Sequence, residues 1–245
     1  MKTAIHQKWL LRTIFISFSL FLLAACTGSR PAIPSPAPAS GPETITRSLF
    51  DPGTRSISEE DIQRLLNGRL DLPDTLRIAL LHYGSGRVSR YYQAYWSNEE
   101  YLKIKQGYID TFREELSGNS RVSRIILMPE LLLGSRPDIF TLREAAVRLQ
   151  ADLLFIFSIH SDIYYEYKAF RKNEAKAFAT CEALLLDIRT GMIPFSEIIT
   201  RDITTRKSPE DTDDNELRKR AENEAVNFVL PIISQRLNEY LRTAP

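Results

Sequence analysis

The sequence predicts an α/β (α+β) domain: one mixed sheet with helices packed on it, in the order α-β-α-β-α-β-β-β-α. Three observations carry that expectation. Helical patterns alternate with apolar strand-like runs as far as Asp152. Three long strand-like runs then follow one another as a meander. After an acidic loop the chain closes on a long stretch of helical periodicity.

The elements follow from local chemistry. Ser58 with Asp61 three residues on forms a capping box that opens a short helix (SEEDIQRLL), closed by Asn67-Gly68. Leu76 to His82 (LRIALLH) reads as a strand ended by Gly84-Ser85-Gly86. Ser97 caps a helix from Asn98 to about Leu116. Val122 to Leu133 reads as a strand interrupted by Pro129, which marks an edge or a bulge because proline gives no ladder donor. Asp138 caps a helix through Gln150. Asp152 to Tyr167 and Ala175 to Ile188 read as two strands joined by a charged turn, and Arg189-Thr190-Gly191 turns into a third, Ile193 to Thr204. In the last helix Ala221, Ala225, Phe228, Val229, Ile233, Leu237 and Leu241 keep helical spacing, and Pro231 is expected to kink or split it. Ala175, Ala177, Ala179, Cys181 and Ala183 make one strand face small, so a helix can lie close against it and Cys181 reads as a packed thiol.

The first 25 residues have a different logic. Lys2, Lys8 and Arg12 precede a 13-residue, nearly uncharged run, Thr13 to Ala25, too short to span a bilayer at about 20 residues. It ends in Leu23-Ala24-Ala25-Cys26, which resembles the lipobox of bacterial lipoproteins. That resemblance implies cleavage before Cys26, a diacylglyceryl group on its thiol and acylation of the new amine. Thr27 to Glu43 is rich in Pro, Ser, Ala and Gly and cannot bury a core. Extended as polyproline II at about 3.1 Å per residue, it holds a domain up to roughly 50 Å from the membrane. The organisation is therefore signal peptide 1–25, lipidated cysteine and linker 26–56, and one periplasmic domain 57–245. Thr27 stands where aspartate retains enterobacterial lipoproteins in the inner membrane, so the resemblance implies the outer membrane, facing the periplasm.

Removing residues 1–25 takes away three basic residues and no acidic one, turning a formal charge of +1 into −2. Such a balance offers nothing to nucleic acid or to anionic lipid. With Cys26 acylated, Cys181 is alone, so no internal disulfide forms and an ordinary core must supply stability.

Chemistry-bearing motifs are absent from the sequence: no Gly-x-Ser-x-Gly, no His-Glu-x-x-His and no phosphate-cradling glycine loop. His160 and Asp162 share a strand face and are a conceivable pair. Asp211, Asp213, Asp214 and Glu216 lack calcium-loop spacing and read as an exposed acidic loop that favours the start of the last helix. No catalytic residue, cofactor or metal site is expected. Arg90, Tyr91, Tyr92, Tyr95 and Trp96 are of the residue types that dominate binding hot spots and are the candidate partner-binding residues; the alternative is a lid over the sheet. Tyr164, Tyr165 and Tyr167 alternate along a strand, so some of them must face away from the core.

From Thr141 to Thr200 the plan resembles the α/β domain shared by the curli secretion-channel lipoprotein, the lipoprotein activators of penicillin-binding proteins and the N-terminal domain of the Tol-system protein TolB. An R-x-x-A-x-x-(hydrophobic)-x-A-D motif is matched by Arg143, Ala146, Leu149, Ala151 and Asp152, and a D-x-x-T-G turn by Asp187, Thr190 and Gly191. The resemblance covers about residues 74 to 242. It implies a non-enzymatic binding, assembly or regulatory factor for a cell-envelope protein. The alternatives are a self-oligomerising component of a secretion or envelope complex, or a periplasmic hydrolase with an unrecognised site. The hairpin around Ser161 to Ala183 carries Asp162, Glu166, Lys168, Glu174, Lys176 and Glu182 without lipid-facing alternation, which speaks against a pore.

Overall fold

The computed structural model describes residues 43–50, 57–84, 98–133, 137–167 and 173–244. Among these residues four helices and five strands follow one another as α1 (Glu59–Asn67), β1 (Leu76–His82), α2 (Asn98–Ser117), β2 (Val122–Leu127), α3 (Ile139–Arg148), β3 (Leu153–Glu166), β4 (Glu174–Asp187), β5 (Phe195–Arg206) and α4 (Asp214–Thr243), with a 3₁₀ turn at Glu130–Leu132. The expected order and class hold. The strands form one sheet in the order β2-β1-β3-β4-β5. β1 runs parallel to β2 and β3, whereas β3-β4-β5 is an antiparallel meander.

The capping residues act where their side chains allow. Ser58 Oγ accepts from the Asp61 backbone N–H, and Asp138 accepts from that of Thr141, supplying partners for first-turn donors. α3 stops at Arg148, two residues earlier than expected, because Gln150 takes a positive φ of 60°. Gly68 ends α1 for a different reason than a left-handed cap. Its φ is −81°, and an added Cβ would lie 2.7 Å from Ile45 and from the Arg64 carbonyl.

Two expectations need correction. β2 ends at Leu127, and Pro129 begins the 3₁₀ turn instead of lying inside the strand. β2 is an edge strand, and its register shifts near Leu76 and Arg77 of β1, so it carries both the edge and the irregularity. α4 is not split at Pro231: it runs unbroken for 30 residues. The helix positions Leu217, Val226, Val229, Leu230, Ile233, Leu237 and Leu241 are all buried. Their burial stabilises the helix by on the order of 10 kcal/mol, against about 3 kcal/mol for an interior proline.

α2 and α4 cover one sheet face, with Phe112 and Leu116 of α2 meeting Phe155 and Phe157 in the core. The small row Ala175 to Ala183 lies under α4 and is buried throughout, Cys181 included. α3 covers the opposite face only where Ala145 and Ala146 meet Ala79, Leu81, Leu154 and Leu186. Arg121 joins the layers by donating to the Leu241 and Ala244 carbonyls at 3.0 and 2.6 Å, satisfying the end of α4.

Candidate interaction surface

The two motifs that resemble the envelope family meet at one end of the sheet. Arg77 and Asp152 form a two-pronged ion pair, Nε to Oδ2 at 2.9 Å and Nη2 to Oδ1 at 2.7 Å. The guanidinium holds the Asp152 carboxyl below its ordinary pKa. Asp187 Oδ2 accepts from the Thr190 N–H and hydroxyl, closing the turn, and Gly191 takes φ +77°. Arg143 then crosses from α3 and donates to the Ile188 and Arg189 carbonyls at 2.9 and 3.0 Å. Every member has a backbone or ionic partner, so these motif residues pin α3 and the β4–β5 turn to the sheet.

The opposite end of the sheet differs. Beyond Phe157, β3 pairs only with β4 among the described residues, and with β5 makes a three-stranded arm. One face of the arm is covered by α4. The other lies past the reach of α3. Its registers align Ser158, Glu182 and Ile198; His160, Thr180 and Thr200; Asp162, Phe178 and Asp202; and Tyr164, Lys176 and Thr204. Tyr164 is 72% exposed and Ile198 67%. Lys176 bonds Asp202 at 2.8 Å and lies 4.9 Å over the Phe178 ring, while Thr180 and Thr200 share a hydrogen bond of 2.9 Å. Where the edge of α3 gives way to this face, Tyr83, Ile156, Ser158, Leu184 and Ile198 line a shallow groove of about 190 Å³. Apolar and aromatic groups set among hydrogen-bonding ones suit a protein surface better than a small-molecule pocket.

The sequence-predicted chemistry resolves as follows. His160 and Asp162 do not pair: His160 contacts Ser158 at 3.4 Å, and Asp162 accepts from the Ile163 N–H. The acidic loop is committed within the fold. Asp211 is buried, not exposed, and takes Arg220 at 3.0 and 2.6 Å, which with the Ser208 N–H brings its pKa to about 2. Asp213 caps α4 and Asp214 meets Lys207. Among the described residues no three His, Cys, Asp or Glu side chains gather as a metal ion needs, and no helix is long and apolar enough to cross a membrane. Tyr165 turns inward against Arg218, 4.7 Å away, while Tyr164 and Tyr167 face out. Burial raises the Cys181 pKa to about 12 and leaves it a thiol. Cys26 and the segment with Arg90, Tyr91, Tyr92, Tyr95 and Trp96 lie outside the described residues.

His82 closes β1, at the strand end where the sequence puts it. At the end of β1 it stacks on Phe157 with centroids 4.9 Å apart and meets the Tyr108 ring edge-on at 6.0 Å. Its Nδ1 is buried with no hydrogen-bond partner. Burial, with a smaller push from Lys105, lowers its pKa from 6.5 to about 4, so it is neutral at pH 7.

No family model matches the chain, and no curated protein matches it. Among solved structures it is similar to the hypothetical protein CT253 of Chlamydia trachomatis, at 12% identity over 68% of this chain and 97% of that one, with a TM-score of 0.38. It is also similar to protein XCC0632 of Xanthomonas campestris, at 11% identity, 70% and 90% coverage and a TM-score of 0.39. A third is a minor lipoprotein of Acinetobacter baumannii, at 8% identity, 67% and 88% coverage and a TM-score of 0.33. Likenesses this remote carry no functional information.

Proposed function

We propose that this chain is a lipid-anchored envelope protein that works without catalysis, by holding another cell-envelope protein against its domain. The observation that carries the reading is Leu23-Ala24-Ala25-Cys26 followed at once by a proline-rich tether. More than one acyl chain, at about 0.8 kcal/mol per buried methylene, gives stable anchoring. Outer-membrane residence rests on Thr27, and the adaptor role on the resemblance through Arg143, Asp152, Asp187 and Thr190. The uncovered face of the arm, with Tyr164, Phe178 and Ile198, supplies a rigid surface of suitable chemistry. The aromatic segment around Tyr95 and Trp96 extends the same proposal.

Fatty-acid labelling tests the anchor. The native protein takes up label, and Cys26→Ala remains an unlabelled precursor; normal maturation and labelling of that variant would refute the reading. Affinity isolation of the tagged protein tests the adaptor role. The Tyr95→Ala/Trp96→Ala variant is expected to lose its envelope partner with an unchanged melt, whereas loss of fold would assign those residues to the core.

A further inference from the structure

The outer edge of β5 is built to receive a strand. Among the described residues nothing pairs with it, although β5 runs for 12 residues in unbroken register with β4. The other edge strand, β2, is shorter and has a register shift, two devices that blunt pairing. β5 has no proline, no lysine and no register shift.

Its geometry selects a partner. Lys207 N–H donates to the Asn173 carbonyl at 2.9 Å, continuing the ladder. By alternation, odd-numbered residues of β5 direct their backbone groups at β4, and Ser196, Ile198, Thr200 and Asp202 present theirs outward, the Thr200 carbonyl holding the exposed Arg201 guanidinium at 2.8 Å, which an added strand displaces. We infer that the occupant is the β5 of a second copy of this chain, antiparallel, across a two-fold axis at Ile199. That register brings Ser196 opposite Asp202 and Ile198 opposite Thr200, all with outward backbone groups. It also sets Glu197 opposite the second copy's Arg201, and Arg201 opposite its Glu197, both as close, non-hydrogen-bonded pairs. An axis at Arg201 or Asp202 would instead oppose like charges, which destabilises a sheet.

α4 borders the same edge. Its row Arg220, Glu224, Phe228 and Arg236 overhangs this edge: Arg220 donates to the Arg206 carbonyl, Glu224 accepts from Thr205, and Arg236 bonds Glu197 at 2.8 Å. Phe228 lies between these contacts and is 52% exposed. On a two-fold axis at Ile199 the two copies of α4 lie on the same side of the joined strands, with the Arg236–Glu197 pair of each beside the other's Arg201.

The full-length protein, purified in detergent, is tested by sedimentation with the detergent contribution subtracted. The expected result is a concentration-dependent dimer. Thr200→Pro removes an outward N–H and no backbone bond to β4, though it also gives up the hydroxyl bond to Thr180, so it should abolish the dimer and lower stability by no more than about 1 kcal/mol. Arg201→Glu should weaken association at least about tenfold, and Glu197→Arg/Arg201→Glu should recover most of that loss. Should Thr200→Pro fail to fold, Ile198→Pro, which removes another outward N–H from an exposed residue, provides a second disruption. A protein that stays monomeric at every concentration overturns the inference. So does a dimer indifferent to Thr200→Pro or Ile198→Pro in folded protein, a double variant no better than the single, or a foreign chain occupying the edge.

Discussion

Acidification should expose the cost of burying His82. The ring is packed between Phe157 and Tyr108, its Nδ1 is unpartnered, and its pKa falls from 6.5 to about 4. Between those values the unfolded chain binds a proton that the folded chain refuses, so stability rises with pH there and falls on acidification. The contribution is fully present above about pH 6.5 and is lost progressively toward pH 4. By linkage, the loss from this residue is about 2 kcal/mol between about pH 8 and about pH 5, and about 3 kcal/mol over the whole window. His82→Phe keeps an aromatic ring in the stack and gives up no hydrogen bond at Nδ1. Urea unfolding of both proteins at about pH 8 and about pH 5 measures the difference directly. The native protein should lose about 2 kcal/mol more than the variant. Equal losses would refute the reasoning, because His82 would then titrate alike in the folded and unfolded chain.

Further outcomes concern the packing and the turn. Arg143→Ala leaves the Ile188 and Arg189 carbonyls without their guanidinium donor and should cost about 2 kcal/mol in urea unfolding; a change below a few tenths would remove Arg143 from the sheet-end clamp. Ala179→Leu forces a larger side chain between β4 and α4 and should cost about 1–3 kcal/mol, seen as a lowered Tm; a neutral result would mean the small-residue row is not in close contact. Cys181 should resist thiol reagents in the native protein and react only on unfolding, because burial holds its pKa near 12.

Much of the fold was legible because local chemistry and tertiary packing agree. β1 was read to the residue, since LRIALLH is an apolar run bounded by Thr75 and Tyr83-Gly84. The Ser58 and Asp138 caps were legible because each side chain reaches the backbone three residues on. The alternation of β4 showed which face a helix could approach. What failed to show in the sequence depends on distance or on context. Nothing local says that buried Leu, Val and Ile on both sides of Pro231 will hold α4 together. The family-like motifs could be seen one by one, but their convergence joins Arg77 to Asp152, 75 residues away, and Arg143 to the β4–β5 turn. The second face of the arm was hidden for a related reason: alternation shows that β3 has two faces, and only the placement of α3 shows that one of them carries no helix among the described residues.

A photo-cross-linking amino acid at Tyr164, which is exposed on the arm face opposite α4, tests the adaptor reading in intact cells. The expected product is a discrete adduct with another envelope protein, identified by mass spectrometry and missing when the same probe replaces Leu131, which is 93% exposed outside the arm. Equal, diffuse labelling from both positions, or no adduct from Tyr164, would contradict the proposal that this face holds a partner.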